Sequence, residues 1–220
     1  FMQRRPTGAT LSPYTSLFLS IPDHSEPPSI MPHDAVLLAA GGSTRLKRPK
    51  QLLTRQGTPL VRYVAELLLS TSPDRLVIIT GGSAEAVALA LQGLPVDICY
   101  NPLWNTGLAS SIQCAARALC GRDKSILIAG TDQPRLSLPH LLLLRDTFPT
   151  NANVVTQYKK GAMGIPVRVS AATLAKAPEL RADKGFRDLW ADLPPKTLEA
   201  PHLLEDLDTP VQMAEAVTQG

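Results

Sequence analysis

The sequence has little excess charge, few aromatic residues and only three cysteines. Lysine and arginine outnumber aspartate and glutamate by 22 to 19, a surplus too small for a general nucleic-acid or membrane binder. No apolar run approaches the roughly 18 residues of a membrane-spanning helix. The cysteines lack CxxC spacing and have no histidines at metal-ligand intervals, which argues against a disulfide framework or a zinc site. We expect a soluble protein of a reducing compartment, the cytoplasm, without nucleic-acid or membrane partners.

Several motifs of nucleotide-binding and hydrolytic enzymes are also missing. The sequence contains no GxxxxGK followed by Ser or Thr, and GxGxxG cannot be laid over its glycines, so P-loop and dinucleotide-binding folds of the usual kind are excluded. It has no GxSxG elbow, no HExxH and no Cys–His pair at a suitable spacing. Chemistry that depends on a covalent nucleophile is therefore not indicated.

Short apolar runs alternate with helical patterns, which predicts an α/β fold with a mostly parallel sheet covered on both faces. We predict strands over 35–40, 75–80, 96–100, 125–130, 153–158 and 165–170, and helices over 58–72, 82–94, 109–120, 138–148 and 210–219. Residues 1–32 are rich in Pro, Ser and Thr and show no period, which is typical of a disordered or dispensable extension. The domain is predicted over 33–220.

The first predicted strand runs into two glycines and a basic cluster, "AVLLAAGGSTRLKRPKQLL". Gly41 and Gly42 allow close approach of the backbone or a positive φ. Consecutive amides in such a turn form an anion site, to which Arg45 and Lys50 can add positive charge. The cluster, Arg45, Lys47, Arg48, Lys50 and Arg55, contains no acid between its members. From the residues alone, a glycine turn followed by solvated basic side chains is an equally good interpretation.

The loop after the fourth predicted strand, "SILIAGTDQPRLS", places Asp132 just past an apolar run. In open α/β sheets ligands bind at the carboxyl ends of the strands. A carboxylate there suits Mg²⁺, which takes one or two carboxylates together with phosphate oxygens and water. A turn or helix-capping aspartate is the alternative that spacing leaves open.

The first loop resembles the signature of sugar- and cofactor-nucleotidyltransferases, and most closely that of the MocA-like molybdenum cofactor cytidylyltransferase branch. The residues that fit are Leu38, Ala39, Ala40, Gly41, Ser43, Arg45, Lys50, Leu52 and Leu53. Four later segments also fit the branch, "GTDQP", "NPLWNTGLASSI", "RADKGFR" and "EDLDTP". Three positions depart from it: Lys47 stands at a usual glycine, Thr131 replaces a usually small residue, and Ile165 stands where histidine is expected.

The resemblance implies a three-layer Rossmann-like nucleotidyltransferase fold with a mixed, mostly parallel sheet, and it implies roles for residues. Catalysis is assigned to Arg45, Lys50 and Asp132. Nucleotide binding is assigned to Leu38, Ala39, Ala40, Gly41, Gly42, Ser43, Arg45, Lys50, Gly81, Asn101, Gly107 and Ser111. Acceptor binding is assigned to Asp183, Lys184 and Arg187, and the metal, Mg²⁺, to Asp132 and Asp208, with Asp206 as a substitute for the latter. From spacing alone, Trp104 is a core or lid aromatic.

The implied activity is transfer of CMP from CTP to the phosphate of molybdopterin, with release of pyrophosphate. Ala40 in the LAAG start favours the cytidylyl branch. The implied partners are CTP or another NTP and molybdenum cofactor as substrates, with a molybdenum hydroxylase as a protein partner. The alternatives are another nucleotide such as GTP, a sugar or alcohol phosphate as acceptor, or a non-catalytic carrier that hands a nucleotide or cofactor to such a hydroxylase.

Overall fold

The computed structural model describes residues 31–42, 49–190 and 194–204. Its core is a seven-stranded sheet in the order β5-β4-β1-β6-β8-β7-β9. The first four of these strands run parallel, and β8 is antiparallel to both of its neighbours. The strands are β1 (His33–Ala39), β4 (Leu76–Thr80), β5 (Asp97–Tyr100), β6 (Ser125–Gly130), β7 (Val154–Lys159), β8 (Ala162–Val169) and β9 (Lys196–Glu199). This confirms the predicted α/β fold with a mixed, mostly parallel sheet.

Helices cover both faces of the sheet. The helices are α1 (Leu60–Leu69), α2 (Ala84–Ala90), α3 (Leu108–Ala118), α4 (Leu138–Asp146), α5 (Ala171–Ala175) and α6 (Phe186–Leu189). Successive residues of β1 enter different cores: Val36 packs with α3, α5 and α6, whereas Leu37 packs with α1, α2 and α4. Because side chains alternate along a strand, continuous apolar strands fill two cores, which gives three layers.

The predicted helix over 58–72 is shorter in the structure. Thr58–Pro59 form a small strand, β3, which pairs antiparallel with β2 (Thr54–Arg55), and α1 begins only at Leu60. Pro59 lies in extended backbone just before the helix, since proline removes a donor and fixes φ. Three further elements, β9, α5 and α6, were not predicted, since they are only four or five residues long.

Some predictions fall on parts of the chain that the structure does not describe. The closing helix over 210–219 lies outside the described residues, as do residues 1–30 of the predicted extension. The extension and the domain bounds at 33–220 therefore stay predictions. Within the described ranges, none of the helices combines the length and apolarity needed to cross a bilayer.

Candidate active site

The carboxyl ends of three adjacent parallel strands bring the predicted loops to one edge of the sheet. Leu38 of β1 lies level with Gly130 of β6, and Ala39 lies level with Thr80 of β4. The segments that follow, 40–42, 81–82 and 131–133, therefore emerge side by side. This is where open α/β sheets bind ligands.

Gly41 and Gly42 in the first loop serve close approach, since neither adopts a positive φ. A β-carbon at Gly42 would lie 2.4 Å from Cζ3 of Trp104. Gln51 holds the same loop from the other side: its Nε2 donates to the carbonyl oxygens of Ala39 at 3.1 Å and Gly41 at 2.5 Å. The main-chain course of the loop is thus fixed by an aromatic ring and a buried amide.

The basic residues of the first loop do not all serve one purpose. Lys50 starts a 3-10 turn, Lys50–Leu52, and immediately precedes Gln51, so its backbone lies beside Gly41. Arg55 stacks over the ring of Tyr63, with its guanidinium carbon 4.5 Å from the ring centroid. This cation–π contact directs Arg55 to α1. Ser43, Arg45, Lys47 and Arg48 lie outside the described residues.

Asn101 organises the segment between β5 and α3. Its side chain is fully buried; Nδ2 donates to the hydroxyls of Ser110 at 2.9 Å and Ser111 at 3.2 Å. Its Oδ1 accepts from the amide of Leu103 at 3.0 Å. Ser110 in turn donates to the carbonyls of Leu103 and Gly107. Asn101 therefore shapes the turn that precedes α3, and its own polar atoms already have partners within that turn.

Gly107 joins the predicted nucleotide and acceptor segments. It has φ +113°, and a β-carbon there would lie 2.5 Å from the carbonyl oxygen of Ala182 and 2.7 Å from Oδ1 of Asp183. The amide of Ala109 donates to that carbonyl at 3.0 Å. Asp183, Lys184 and Arg187 are exposed around this contact. The structure thus brings Gly107 and Asp183 together, which spacing could not show.

Asp132 and Ile165 converge over Gly130 at the end of β6. A β-carbon at Gly130 would lie 2.9 Å from Oδ1 of Asp132 and 2.6 Å from Cδ1 of Ile165. Asp132 is half-buried. The histidine expected at position 165 would therefore stand next to the candidate metal carboxylate. Its replacement by isoleucine puts an apolar group at that place.

Gln133 fixes the backbone around Ile165. Its Nε2 donates to the carbonyl oxygen of Ile165 and to the hydroxyl of Tyr158, both at 2.8 Å, and that hydroxyl also donates to the Ile165 carbonyl. Gln133 is buried, and its Oε1 has no protein partner. The side-chain amide of Gln133 is thus held by Tyr158 and Ile165, while its oxygen is buried without a protein partner.

Asp132 is the one predicted metal carboxylate within the described ranges, since Asp208 lies outside them. Residues 31–42, 49–190 and 194–204 contain no group of three or more His, Cys, Asp or Glu side chains placed to hold a metal. Mg²⁺ commonly binds through one or two carboxylates and completes its shell with phosphate oxygens and water. A single carboxylate at the sheet edge, beside a glycine-lined loop, fits such a substrate-completed site.

Two thiols are in contact between β5 and α3. Sγ of Cys99, on β5, lies 3.0 Å from Sγ of Cys114, on α3. Burial and the hydrogen bond with Cys99 raise the pKa of Cys114 to about 11. The thiol is therefore protonated at neutral pH. Cys99 is half-buried, whereas Cys114 is buried.

Sequence reasoning gave no role to Gln51 or Gln133 and left Trp104 as a core or lid aromatic. Both glutamines stand inside matched segments, KQLL and TDQP, directly after a residue singled out for its charge. A buried amide beside a charged candidate residue was the available signal. Trp104 offered none, because nothing in its spacing shows that three glycines pack on it.

Comparison with known proteins identifies the family. The family described as the MobA-like NTP transferase domain matches residues 35–198. The bifunctional protein GlmU of Thermus thermophilus is 35% identical over 107 residues, 48% of this chain and 23% of GlmU. The chain spans about a quarter of the length of the curated relatives it matches.

Two solved structures share the fold over most of both chains. A nucleotidyl transferase from Methanothermobacter thermautotrophicus superposes with a TM-score of 0.72 at 21% identity, over 85% of this chain and 96% of that one. Rv0371c of Mycobacterium tuberculosis, in complex with manganese, superposes with a TM-score of 0.71 at 25% identity, over 86% and 100%. Because the family match spans most of the chain, the chain belongs to the MobA-like NTP transferase domain family.

Proposed function

We propose that this nucleotidyltransferase transfers CMP from CTP to the phosphate of molybdopterin, giving molybdopterin cytosine dinucleotide and pyrophosphate. The observation that carries the proposal is the convergence at one sheet edge of the glycine loop at 40–42 with Asp132. The branch-specific part rests on the LAAG start and the four later segments that resemble the MocA-like branch.

In the proposed reaction an oxygen of the acceptor phosphate attacks the α-phosphorus of CTP. The bond between that phosphorus and the bridging oxygen to the β-phosphate breaks, and pyrophosphate leaves with the electron pair. Holding the reactants in line contributes roughly 7–11 kcal/mol in well-oriented systems. Such a displacement needs positioning and charge neutralisation rather than a covalent nucleophile.

The chain's own residues supply positioning. Amides of the loop at 40–42, fixed by Gln51, face the triphosphate, and Lys50 and Arg45 neutralise its charge. Asp132 and Asp208 hold Mg²⁺, which neutralises charge on the phosphates when bound. Manganese in the similar structure of Rv0371c supports a divalent cation. The nucleoside end of the NTP is bordered by Gly81 and by the 101–111 turn with Ser111. The acceptor lies near Ala182–Arg187, the segment next to Gly107.

One observation favours a second acceptor class. Ile165 puts an apolar side chain beside Asp132 where the branch has histidine. An acceptor that the histidine would contact loses a polar partner here. A sugar or alcohol phosphate is therefore the competing acceptor, and a molybdenum hydroxylase as recipient of the product stays a prediction.

The test is pyrophosphate release from CTP, GTP, ATP and UTP with Mg²⁺, with and without molybdenum-loaded molybdopterin. The proposal predicts release from CTP that requires both the pterin and the metal. Release from GTP instead would correct the nucleotide. Release that depends on a sugar or alcohol phosphate, and not on the pterin, would correct the acceptor. The variant Ile165→His serves as a matched comparison, because it restores the expected side chain at the Asp132 edge.

A further inference from the structure

Three glycines from two loops pack on one indole ring. β-carbons placed at Gly42, Gly81 and Gly82 would lie 2.4, 2.6 and 2.9 Å from the nearest atoms of Trp104. Real β-carbons essentially never approach so closely. Any side chain larger than hydrogen at these places would displace the ring. The loops after β1 and β4 are thus built to admit a flat aromatic group at the sheet edge.

Backbone hydrogen bonds fix the position of Trp104 in the chain. Trp104 begins a short 3-10 turn, Trp104–Thr106, and its amide donates to the carbonyl of Asn101 at 3.3 Å. The amide of Asn101 donates in turn to the carbonyl of Thr80, the last residue of β4, at 2.9 Å. Since Asn101 also orders the start of α3, the indole is held at a defined place relative to the strand ends.

The position of the ring suits contact with a nucleobase. Gly42 belongs to the loop assigned to phosphates, and Gly81 follows the neighbouring strand, so the ring lies beside the expected path of the nucleotide. Trp104 is half-buried although it packs on three backbones, so part of the indole remains accessible. Base–aromatic stacking changes affinity by roughly 5- to 150-fold in single-stranded nucleic-acid binders.

We propose that the Trp104 indole is the aromatic wall of the nucleobase subsite, on which the base of the bound NTP stacks. The inference rests on the nucleotide use proposed above. It assigns the phosphates to the 40–42 loop and the base to the indole. Stacking alone does not select among bases, so Trp104 contributes affinity and orientation for any NTP.

The experiment uses the two tryptophans of the chain. Trp190 is buried and stacks on Phe186 with ring centroids 6.3 Å apart. In the full chain carrying Trp190→Phe, Trp104 is the single tryptophan, and excitation at a wavelength that tyrosine does not absorb isolates its emission. We expect CTP with Mg²⁺ to quench its emission, whereas inorganic tripolyphosphate, which has no base, binds without quenching. Unchanged emission on saturation with CTP would overturn the proposal. This fluorescence titration needs no substitution of Trp104.

Variants of Trp104 then separate stacking from structural support. Trp104→Ala should weaken CTP binding about tenfold and leave tripolyphosphate binding within about twofold, and Trp104→Phe should recover most of the CTP affinity. Equal weakening of both ligands would show that the ring only supports the phosphate loop. Tighter CTP binding by Trp104→Ala would show that the ring blocks the site. Either result would overturn the proposal that the nucleobase stacks on Trp104. Failure of the wild-type chain to bind any NTP or tripolyphosphate would overturn the proposed function as well.

Discussion

Replacing Gly81 by alanine tests the packing of the strand ends directly. The new β-carbon would lie 2.5 Å from the carbonyl oxygen of Ala40, a backbone atom, and 2.6 Å from Cβ of Trp104. Neither can move without shifting β1 or the 3-10 turn. Overpacking of this kind typically costs ~1–3 kcal/mol. Alanine also restricts the conformations of the unfolded chain, and this offsets ~0.4–1 kcal/mol of that cost.

We therefore expect Gly81→Ala to lower the free energy of unfolding by about 1–2 kcal/mol. At ~2–4 °C per kcal/mol for a domain of this size, the melting temperature should fall by roughly 2–8 °C. Gly41→Ala is the matched control, since a β-carbon there would lie 3.7 Å from Nε2 of Gln51, in ordinary contact. Urea unfolding and thermal melts of the two variants measure the difference. Equal or higher stability of Gly81→Ala would refute the described contact between Ala40, Gly81 and Trp104.

Three further predictions concern charge, acidity and thiol reactivity. Lys50→Ala should raise the KM for the NTP about tenfold or more, as expected for loss of a charged hydrogen bond worth ~1.5–3 kcal/mol, and steady-state kinetics measures this. Burial, with the nearby His202, lowers the pKa of His140 from 6.5 to about 4. Because the folded state keeps the ring neutral, the free energy of unfolding is up to about 3 kcal/mol higher above pH 6.5, and this stability is lost as the pH falls towards 4. Urea unfolding from pH 7 to 4.5 should show a smaller loss for His140→Gln than for wild type, and equal losses would contradict it. At pH 8, iodoacetamide should modify the exposed Cys120 well before Cys114, whose pKa is about 11, as mass spectrometry can follow.

The sequence predicted the fold well because its strands carry a simple signal. Continuous apolar runs make up most of β1, β4 and β6, and a strand buried on both faces needs no alternation to be recognised. The family resemblance implied a mixed sheet, but the position of antiparallel β8 beside β6 was not predicted. The β2–β3 hairpin was missed because two-residue strands have no period, and its positive φ falls on Gln56 as well as Gly57.

The sequence predicted those site residues that directly follow a predicted strand. Asp132, Gly41 and Gly42 could be placed at the carboxyl edge because each loop directly follows a predicted strand. The contact of Gly107 with Asp183 joins residues 76 positions apart in sequence, and no local pattern reports it. The same holds for Trp104, whose three glycine neighbours come from two separate loops. Arg55 was grouped by charge with the basic cluster of the first loop, but its guanidinium packs on Tyr63.

The proposed function requires transfer of a nucleotidyl group at the edge that carries Asp132. It is tested by incubating CTP labelled at the α-phosphate with molybdenum-loaded molybdopterin, Mg²⁺ and the full chain, and following the label by chromatography. We expect label to enter the pterin product with the wild-type chain. We also expect loss of that transfer in Asp132→Asn, which keeps the side-chain shape, removes the charge and should leave the melting temperature within a few degrees. Full transfer by Asp132→Asn would contradict the role of this carboxylate, and absence of label from every acceptor tried with the wild-type chain would contradict the activity.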